Sequence, residues 1–273
     1  MGKTFAVIGD PINHSLSPNI HSAAFRELDL DCSYIGYRIP KGELEAGIEG
    51  LKKIKISGFN VTIPHKIEIM KFLDKIDESC SLIGAANTIV NIDGILKGYN
   101  TDMDGFLEPF KKKEIEIINK KILLLGAGGA ARAIVAGFAK EKAKSITIAN
   151  RTLENAEKLS EFAEKIGLTA DVLKIENVNG SAKNYDIIVN ATSIGLKNEE
   201  SVISLDGINE KTVVYDIVYM PMNTDFIKKA KENNAIVIYG YEMLLGQATR
   251  AFEIWHSMEA PYNTMKKALL GGF

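Results

Sequence analysis

Short apolar runs alternate with longer stretches of helical spacing along the whole chain. Runs near 4–9, 33–39, 57–63 and 86–91 read as strands, and the segments near 17–29, 42–54 and 65–73 carry apolar residues at helical intervals. A polar stretch around 108–120 follows. A second series then opens on Ile122-Leu123-Leu124-Leu125 and continues with strands near 145–150, 186–191, 213–218 and 235–239. Strands that alternate with helices in this way argue for an α/β fold of parallel βαβ construction. From Met243 onward the pattern is helical: Leu244, Ala248, Ala251, Phe252 and Trp255 fall on one apolar stripe, which is the signature of core packing.

Composition narrows this picture. A chain of 273 residues exceeds the usual size of a single core, so one large or two smaller domains are expected. The formal net charge of −2 gives no basic excess of the kind a nucleic-acid or membrane surface would need. The run Lys111-Lys112-Lys113 lies beside Glu114 and Glu116 and reads as a solvated face. Cys32 and Cys80 are too few for a disulfide framework and lack a metal-ligand spacing. None of His14, His21, His65 and His256 has a convincing ligand partner, so no metal is expected. Neither a signal peptide nor an apolar run of membrane-spanning length is visible, and a cytoplasmic enzyme is expected.

The strongest chemical signal is Gly126-Ala127-Gly128-Gly129-Ala130-Ala131-Arg132, placed directly after a strand and at the start of an Ala-rich helix. Gly126 permits the tight turn, Gly128 lets a pyrophosphate approach the backbone, and Ala131 is small enough for close helix–strand packing. The helix N-terminus adds unpaired N–H groups and partial positive charge. An NAD site places an acidic residue at the end of the next strand, whereas this chain has Asn150-Arg151-Thr152. A guanidinium with short polar neighbours suits a 2′-phosphate, which favours NADP. Glu154, just beyond, is either a helix N-terminal charge or a ribose contact that weakens that preference.

A second signal is Asn60-Val61-Thr62-Ile63-Pro64-His65-Lys66. It reads as a strand leading into a helix that begins at Pro64, with Asn60 and Thr62 on the same strand face. Lys66 would then sit in the first helical turn, where the dipole disfavours a cation and prepares the amine for proton transfer. His14-Ser15-Leu16-Ser17, Asn87-Thr88 and Asn100-Thr101-Asp102 share a short-chain polar character. They suit either a polyhydroxylated ligand or the caps and turns such residues also make. From the residues alone, the chain is an oxidoreductase for a hydroxylated substrate.

Taken together, GDPINHSLSPNIH (9–21), NVTIPHK (60–66), GAANT (84–88), NTDMDG (100–105), GAGGAAR (126–132), NRT (150–152), NATSIG (190–195), YDIVYMP (215–221) and GYEMLLGQA (240–248) resemble the shikimate dehydrogenase family over essentially the whole chain. The resemblance implies an N-terminal α/β substrate domain over 1–103 and a Rossmann-type, doubly wound NADP-binding domain over 104–239. Helices in 240–273 would return to the substrate domain, and the active site would lie in the cleft between the two domains. It implies that Ser15, Ser17 and Tyr219 hold the substrate carboxylate and that Asn60, Thr62, Asn87, Asp102 and Gln247 engage ring hydroxyls. Lys66, with Asp102 beside it, would be the acid/base residue. Gly126, Ala127, Gly128, Gly129, Ala130, Asn150, Arg151, Thr152 and Thr192 would hold the cofactor, with Ile217, Gly240 and Met243 against its nicotinamide.

The implied reaction is hydride transfer from NADPH to 3-dehydroshikimate, giving shikimate, within aromatic amino-acid biosynthesis. The implied partners are small molecules, with no nucleic acid or membrane, in a monomer or homodimer. Where the family often carries a second basic residue, this chain has Glu154, so Arg151 stands alone. Two alternatives stay open. One is a shikimate/quinate enzyme of relaxed choice, against which Ser15 and Ser17 argue. The other is a non-catalytic NADP-sensing relative, which could lose Lys66 or Asp102.

Overall fold

The structure is a computed structural model that describes residues 2–178 and 180–271. Positions 1, 179, 272 and 273, which fall within the expected domain ranges, lie outside these described residues. The chain forms two compact units, one built from residues up to 102 together with those from 245 onward, the other from 103–244.

The first unit contains β1 (Lys3–Gly9), α1 (Ser17–Glu27), β2 (Cys32–Arg38), α2 (Leu44–Lys53), β3 (Gly58–Val61), β4 (Lys75–Ile76), α3 (Glu78–Ile83), β5 (Thr88–Ile92) and β6 (Ile95–Tyr99). Its sheet has the order β2-β1-β3-β5-β6-β4. Strands β2, β1 and β3 are parallel, but β5 runs antiparallel to both β3 and β6. The sheet is therefore mixed, where parallel construction was expected. The cause is a hairpin at Asp93-Gly94, whose φ values of 52° and 89° are the paired positive angles of a tight two-residue turn. Alternation along β1 sorts the two faces. Ala6 and Ile8 join Leu44, Ile48, Leu51, Phe59 and Ile89 in one apolar layer. Phe5 joins Phe25, Trp255 and His256 in an aromatic layer on the other face.

The second unit begins with α4 (Asp102–Lys112), which starts on the boundary. It continues through β7 (Lys121–Leu125), α5 (Ala131–Lys140), β8 (Ser145–Asn150), α6 (Leu153–Lys165), β9 (Ala170–Lys174), β10 (Ile187–Asn190), β11 (Val213–Asp216), α7 (Asp225–Glu232) and β12 (Ile236–Tyr239). All six strands are parallel, in the order β12-β11-β10-β7-β8-β9. The order reverses between β7 and β10, so their carboxyl ends frame the crevice where open α/β sheets bind ligands. α8 (Gly240–His256) leads out of this unit, and α9 (Tyr262–Leu270) packs on α1 in the first. The Trp255 indole donates to the Ile89 carbonyl at 3.0 Å, which fixes α8 to the first sheet. Among the described residues no helix is long and apolar enough to cross a membrane.

Candidate active site

In the first unit, the carboxyl ends of β3 and β6 and the amino end of β5 share one edge, because β5 is antiparallel to both. Register pairs Thr88 with Asn60 on one side and with Tyr99 on the other. That topology gathers three polar segments distant in sequence. Lys66 Nζ donates to Asp102 Oδ2 at 2.5 Å, and Asn87 Nδ2 donates to Asp102 Oδ1 at 2.8 Å. The lysine side chain is 21% exposed and the aspartate 8%, so the pair is largely shielded. Asn100 Oδ1 accepts from the Asp102 N–H and its amide donates to the Ala85 carbonyl, so this asparagine is a turn residue that seats Asp102.

The expected helix over 65–73 is absent. Residues Glu68–Phe72 form only a short 3₁₀ turn, and Lys66 lies ahead of it. The reason is tertiary capture: the Lys66 carbonyl accepts from the Ala86 N–H at 2.8 Å, and the buried His65 ring contacts the Ile39 carbonyl at 2.6 Å. With no α-helix starting at Pro64, the dipole argument for Lys66 falls away. What the structure supplies instead is a position, with Nζ held beside Asp102.

Asn60 and Asn87 are buried, 6% and 2% exposed, and their amides face the protein. Asn60 accepts from the Tyr34 hydroxyl at 2.6 Å and donates to the Asn87 carbonyl and to Thr88 Oγ1, each at 3.0 Å. A substrate hydroxyl could engage Asn87 only by exchanging one of its present bonds. Thr62 lies just past β3 and is partly exposed. Ser15 accepts from the Ser17 N–H at 3.4 Å at the start of α1, and Ser17 sits against the Tyr34 hydroxyl. Gln247 is half-buried on α8 in this same unit, whereas Tyr219 belongs to the second. Burial pushes the Tyr219 phenol above its ordinary range.

In the second unit the loop after β7 meets the loop after β10. Gly126 has φ +103°, and a Cβ there would lie 2.9 Å from the Ala191 backbone. Gly128 and Gly129 are exposed, with room beyond them, so the loop from Ala127 to Ala130 lies open at the N-terminus of α5, while the Gly126 N–H is donated to the Ala149 carbonyl at 2.8 Å. This is the cradle that a dinucleotide pyrophosphate fits. Thr192 N–H and Oγ1 both donate to Asn190 Oδ1, at 3.1 and 2.7 Å. Asn190 in turn donates to the buried Asp216 at 2.9 Å, and Asp216 also accepts from the Thr224 hydroxyl at 2.5 Å. Burial is the main influence on the Asp216 carboxyl and raises it to about 6, against the hydrogen bonds from Thr224, Val218 and Asn190. Gly240 packs so closely on β11's exit that a Cβ would lie 2.5 Å from the Ile217 and Val218 carbonyls. Met243 is buried one turn later. At the end of β8, Asn150 donates to the Thr152 carbonyl and Arg151 is exposed. Glu154 lies in the first turn of α6, the position the helix-charge reading requires.

Tyr34, Asn190 and Asp216 are supporting residues that carried no individual assignment in the sequence, and Thr88 and Thr101 were read only as members of polar clusters suited to a ligand or to caps and turns. Tyr34 gives no signal beyond its hydroxyl, on a strand that also carries Ser33, Tyr37 and Arg38. Asn190 and Asp216 end two neighbouring parallel strands, which becomes legible only once the strand order is known.

Residues 7–89 match the shikimate dehydrogenase substrate binding domain, residues 110–236 the shikimate/quinate 5-dehydrogenase family, and residues 240–270 the shikimate 5′-dehydrogenase C-terminal domain. A shikimate dehydrogenase (NADP(+)) from Nitrosopumilus maritimus is 80% identical over the full length of both chains. Shikimate 5-dehydrogenase from Listeria monocytogenes, solved with shikimate and NAD, is similar with a TM-score of 0.91 and 36% identity, over 98% of this chain and 96% of that one. The Thermus thermophilus enzyme, solved with NADP(H) and shikimate, gives 0.89 and 32%, over 99% and 100%. On the fold, the site geometry and these full-length matches, the chain belongs to the shikimate dehydrogenase family.

Proposed function

We propose that the chain catalyses the reversible NADPH-dependent reduction of 3-dehydroshikimate to shikimate, with Lys66 as the acid/base residue. The observation that carries this reading is the shielded Lys66–Asp102 pair, backed by Asn87, at the polar edge of the first sheet. In the oxidative direction Lys66 Nζ takes the proton from the reacting hydroxyl, and in reduction it returns a proton to the ketone oxygen. Asp102 accepts from Nζ and holds it in place for that transfer. NADP, when bound, accepts or supplies the hydride, so the protein's task is binding and orientation.

Ser15 and Ser17, with Tyr219, are assigned to the substrate carboxylate. Thr62, Asp102, Gln247, Asn60 and Asn87 are assigned to the ring hydroxyls, the last two from a buried position. Residues 1–103 and the C-terminal helices thus serve mainly the substrate and 104–239 mainly the cofactor, with Tyr219, Gly240 and Met243 crossing that division. Gly126–Ala130 and Thr192 take the pyrophosphate region, Asn150, Arg151 and Thr152 the 2′-phosphate, and Ile217, Gly240 and Met243 the nicotinamide. Every assigned side chain comes from one chain, which is compatible with a cytoplasmic monomer or homodimer. The test is steady-state oxidation of shikimate with NADP and with NAD. A higher kcat/KM with NADP supports the reading, and turnover with neither cofactor overturns it.

A further inference from the structure

Behind the Lys66–Asp102 pair, the buried polar groups form an ordered chain whose direction is fixed at both ends by backbone atoms. The Asn87 carbonyl oxygen can only accept. The Asn60 side-chain atom 3.0 Å from it is therefore the amide nitrogen. Asn60 Oδ1 must then face the Tyr34 hydroxyl, which donates to it at 2.6 Å. The same Asn60 nitrogen donates to Thr88 Oγ1, and the single Thr88 proton goes onward to Asn87 Oδ1 at 3.0 Å, the shorter of its two remaining contacts, Thr101 Oγ1 lying at 3.3 Å. At the other end the Thr101 N–H can only donate. Its partner 2.8 Å away is therefore Asn87 Oδ1, and Asn87 Nδ2 is turned toward Asp102. Donation runs one way, Tyr34 to Asn60 to Thr88 to Asn87 to Asp102, through residues that are all buried, Thr88 completely.

We infer that Thr88 is a positioning residue for proton transfer: its hydroxyl joins the Thr101 N–H in holding the Asn87 amide so that Asp102 receives an N–H on Oδ1 and offers Oδ2 to Lys66. Removing the Thr88 hydroxyl takes an acceptor from Asn60 and a donor from Asn87 at one stroke. The Asn87 carbonyl and the Thr101 N–H still orient the two amides, but each amide has lost one of the bonds that hold it in place. A displaced Asn87 would loosen its N–H on Asp102 Oδ1, and with it the carboxylate that Lys66 meets. This inference rests on the assignment of Lys66 and Asp102 above.

The test compares Thr88→Val, which keeps the shape and removes the hydroxyl, with Thr88→Ser, which keeps the hydroxyl and leaves a methyl-sized gap. Misplacing a catalytic group by about an ångström costs on the order of 100-fold in rate. Thr88→Val is therefore expected to lower kcat for shikimate oxidation about 10- to 100-fold with the NADP KM within about 2-fold, while Thr88→Ser keeps most of the turnover. A packing role predicts the reverse order. Wild-type kcat in Thr88→Val, or equal damage in both variants, overturns the inference. Exchange of the Asn87 side-chain amide protons, identified with Asn87→Asp and followed by NMR, gives a readout independent of turnover. Slow exchange in the wild type and fast exchange in Thr88→Val supports the inference, and equal exchange overturns it. If the wild type fails to oxidise shikimate, the functional reading falls, and the exchange result still decides the role of Thr88.

Discussion

His21 offers a quantitative test of how the first unit is held together. Its ring is fully buried, lies parallel to Tyr34 at 4.5 Å and sits 5.2 Å from Trp255, and neither ring nitrogen has a hydrogen-bond partner among the described residues. Burial first, and His256 second, lower its pKa from 6.5 to about 3. A histidine depressed in this way contributes stability that is fully present above its unfolded pKa and is lost as pH falls, because the unfolded chain takes up the proton first. The whole shift corresponds to about 5 kcal/mol, and the part lost between pH 7 and pH 5 to about 2 kcal/mol.

Other groups titrate in the same range. His256, lowered to about 4 by burial and by Lys3, adds to the acid loss. Asp216, raised to about 6, opposes it, since a carboxyl with an elevated folded pKa gains stability as pH falls below 6. The informative quantity is therefore the difference between wild type and His21→Phe, which keeps an aromatic ring against Tyr34 and removes the titration. Urea unfolding followed by Trp255 fluorescence reports on the unit that contains His21. The wild type is expected to lose about 2 kcal/mol more than His21→Phe between pH 7 and pH 5. His21→Leu should show the same pH slope as His21→Phe even if one of them packs poorly. Equal pH slopes in wild type and both variants would refute the claim that His21 stays neutral inside the folded core.

Four further outcomes follow from the site. Lys66→Ala should lower kcat by about 100- to 10,000-fold while NADPH affinity, read by fluorescence titration, changes little; near-normal kcat would remove Lys66 from the mechanism. Arg151→Ala should reduce kcat/KM with NADP by about 10- to 100-fold, the worth of a charged hydrogen bond, and leave NAD turnover unchanged. Glu154→Arg should move the preference the other way; no change in the NADP/NAD ratio would confine Glu154 to its helix. Gly240→Ala drives a methyl into two backbone carbonyls at 2.5 Å, and thermal melts should show destabilisation of about 2 kcal/mol or more.

Much of the second unit was legible because its rules are local. An apolar strand, a glycine turn and an Ala-rich helix follow one another from 122 to 140, and each constrains the next. The first unit was harder. Periodicity over 65–73 suggests a helix, but the Lys66 carbonyl bonds to Ala86, a tertiary partner that no local pattern announces. The β6 strand went unread although Asp93-Gly94 is a strong hairpin signal, and without β6 the antiparallel placement of β5 could not be foreseen. That placement brings Thr88 between Asn60 and Tyr99. The sequence displays Thr88 only as one more short polar residue.

The indole bond from Trp255 to Ile89 has a consequence for synthesis. It joins positions 166 residues apart, with all of the second unit between them. A ribosome delivers that inserted unit whole before Trp255 emerges. At about 5–20 residues per second the wait is roughly 10–30 s. During it, the aromatic face of the first sheet around Phe5, Phe25 and Tyr34 lacks its cover of Phe252 and Trp255. The demand this enzyme places on nascent-chain chaperones is therefore set by its N-terminal hundred residues, and a circular permutant beginning near Leu245 would abolish the wait.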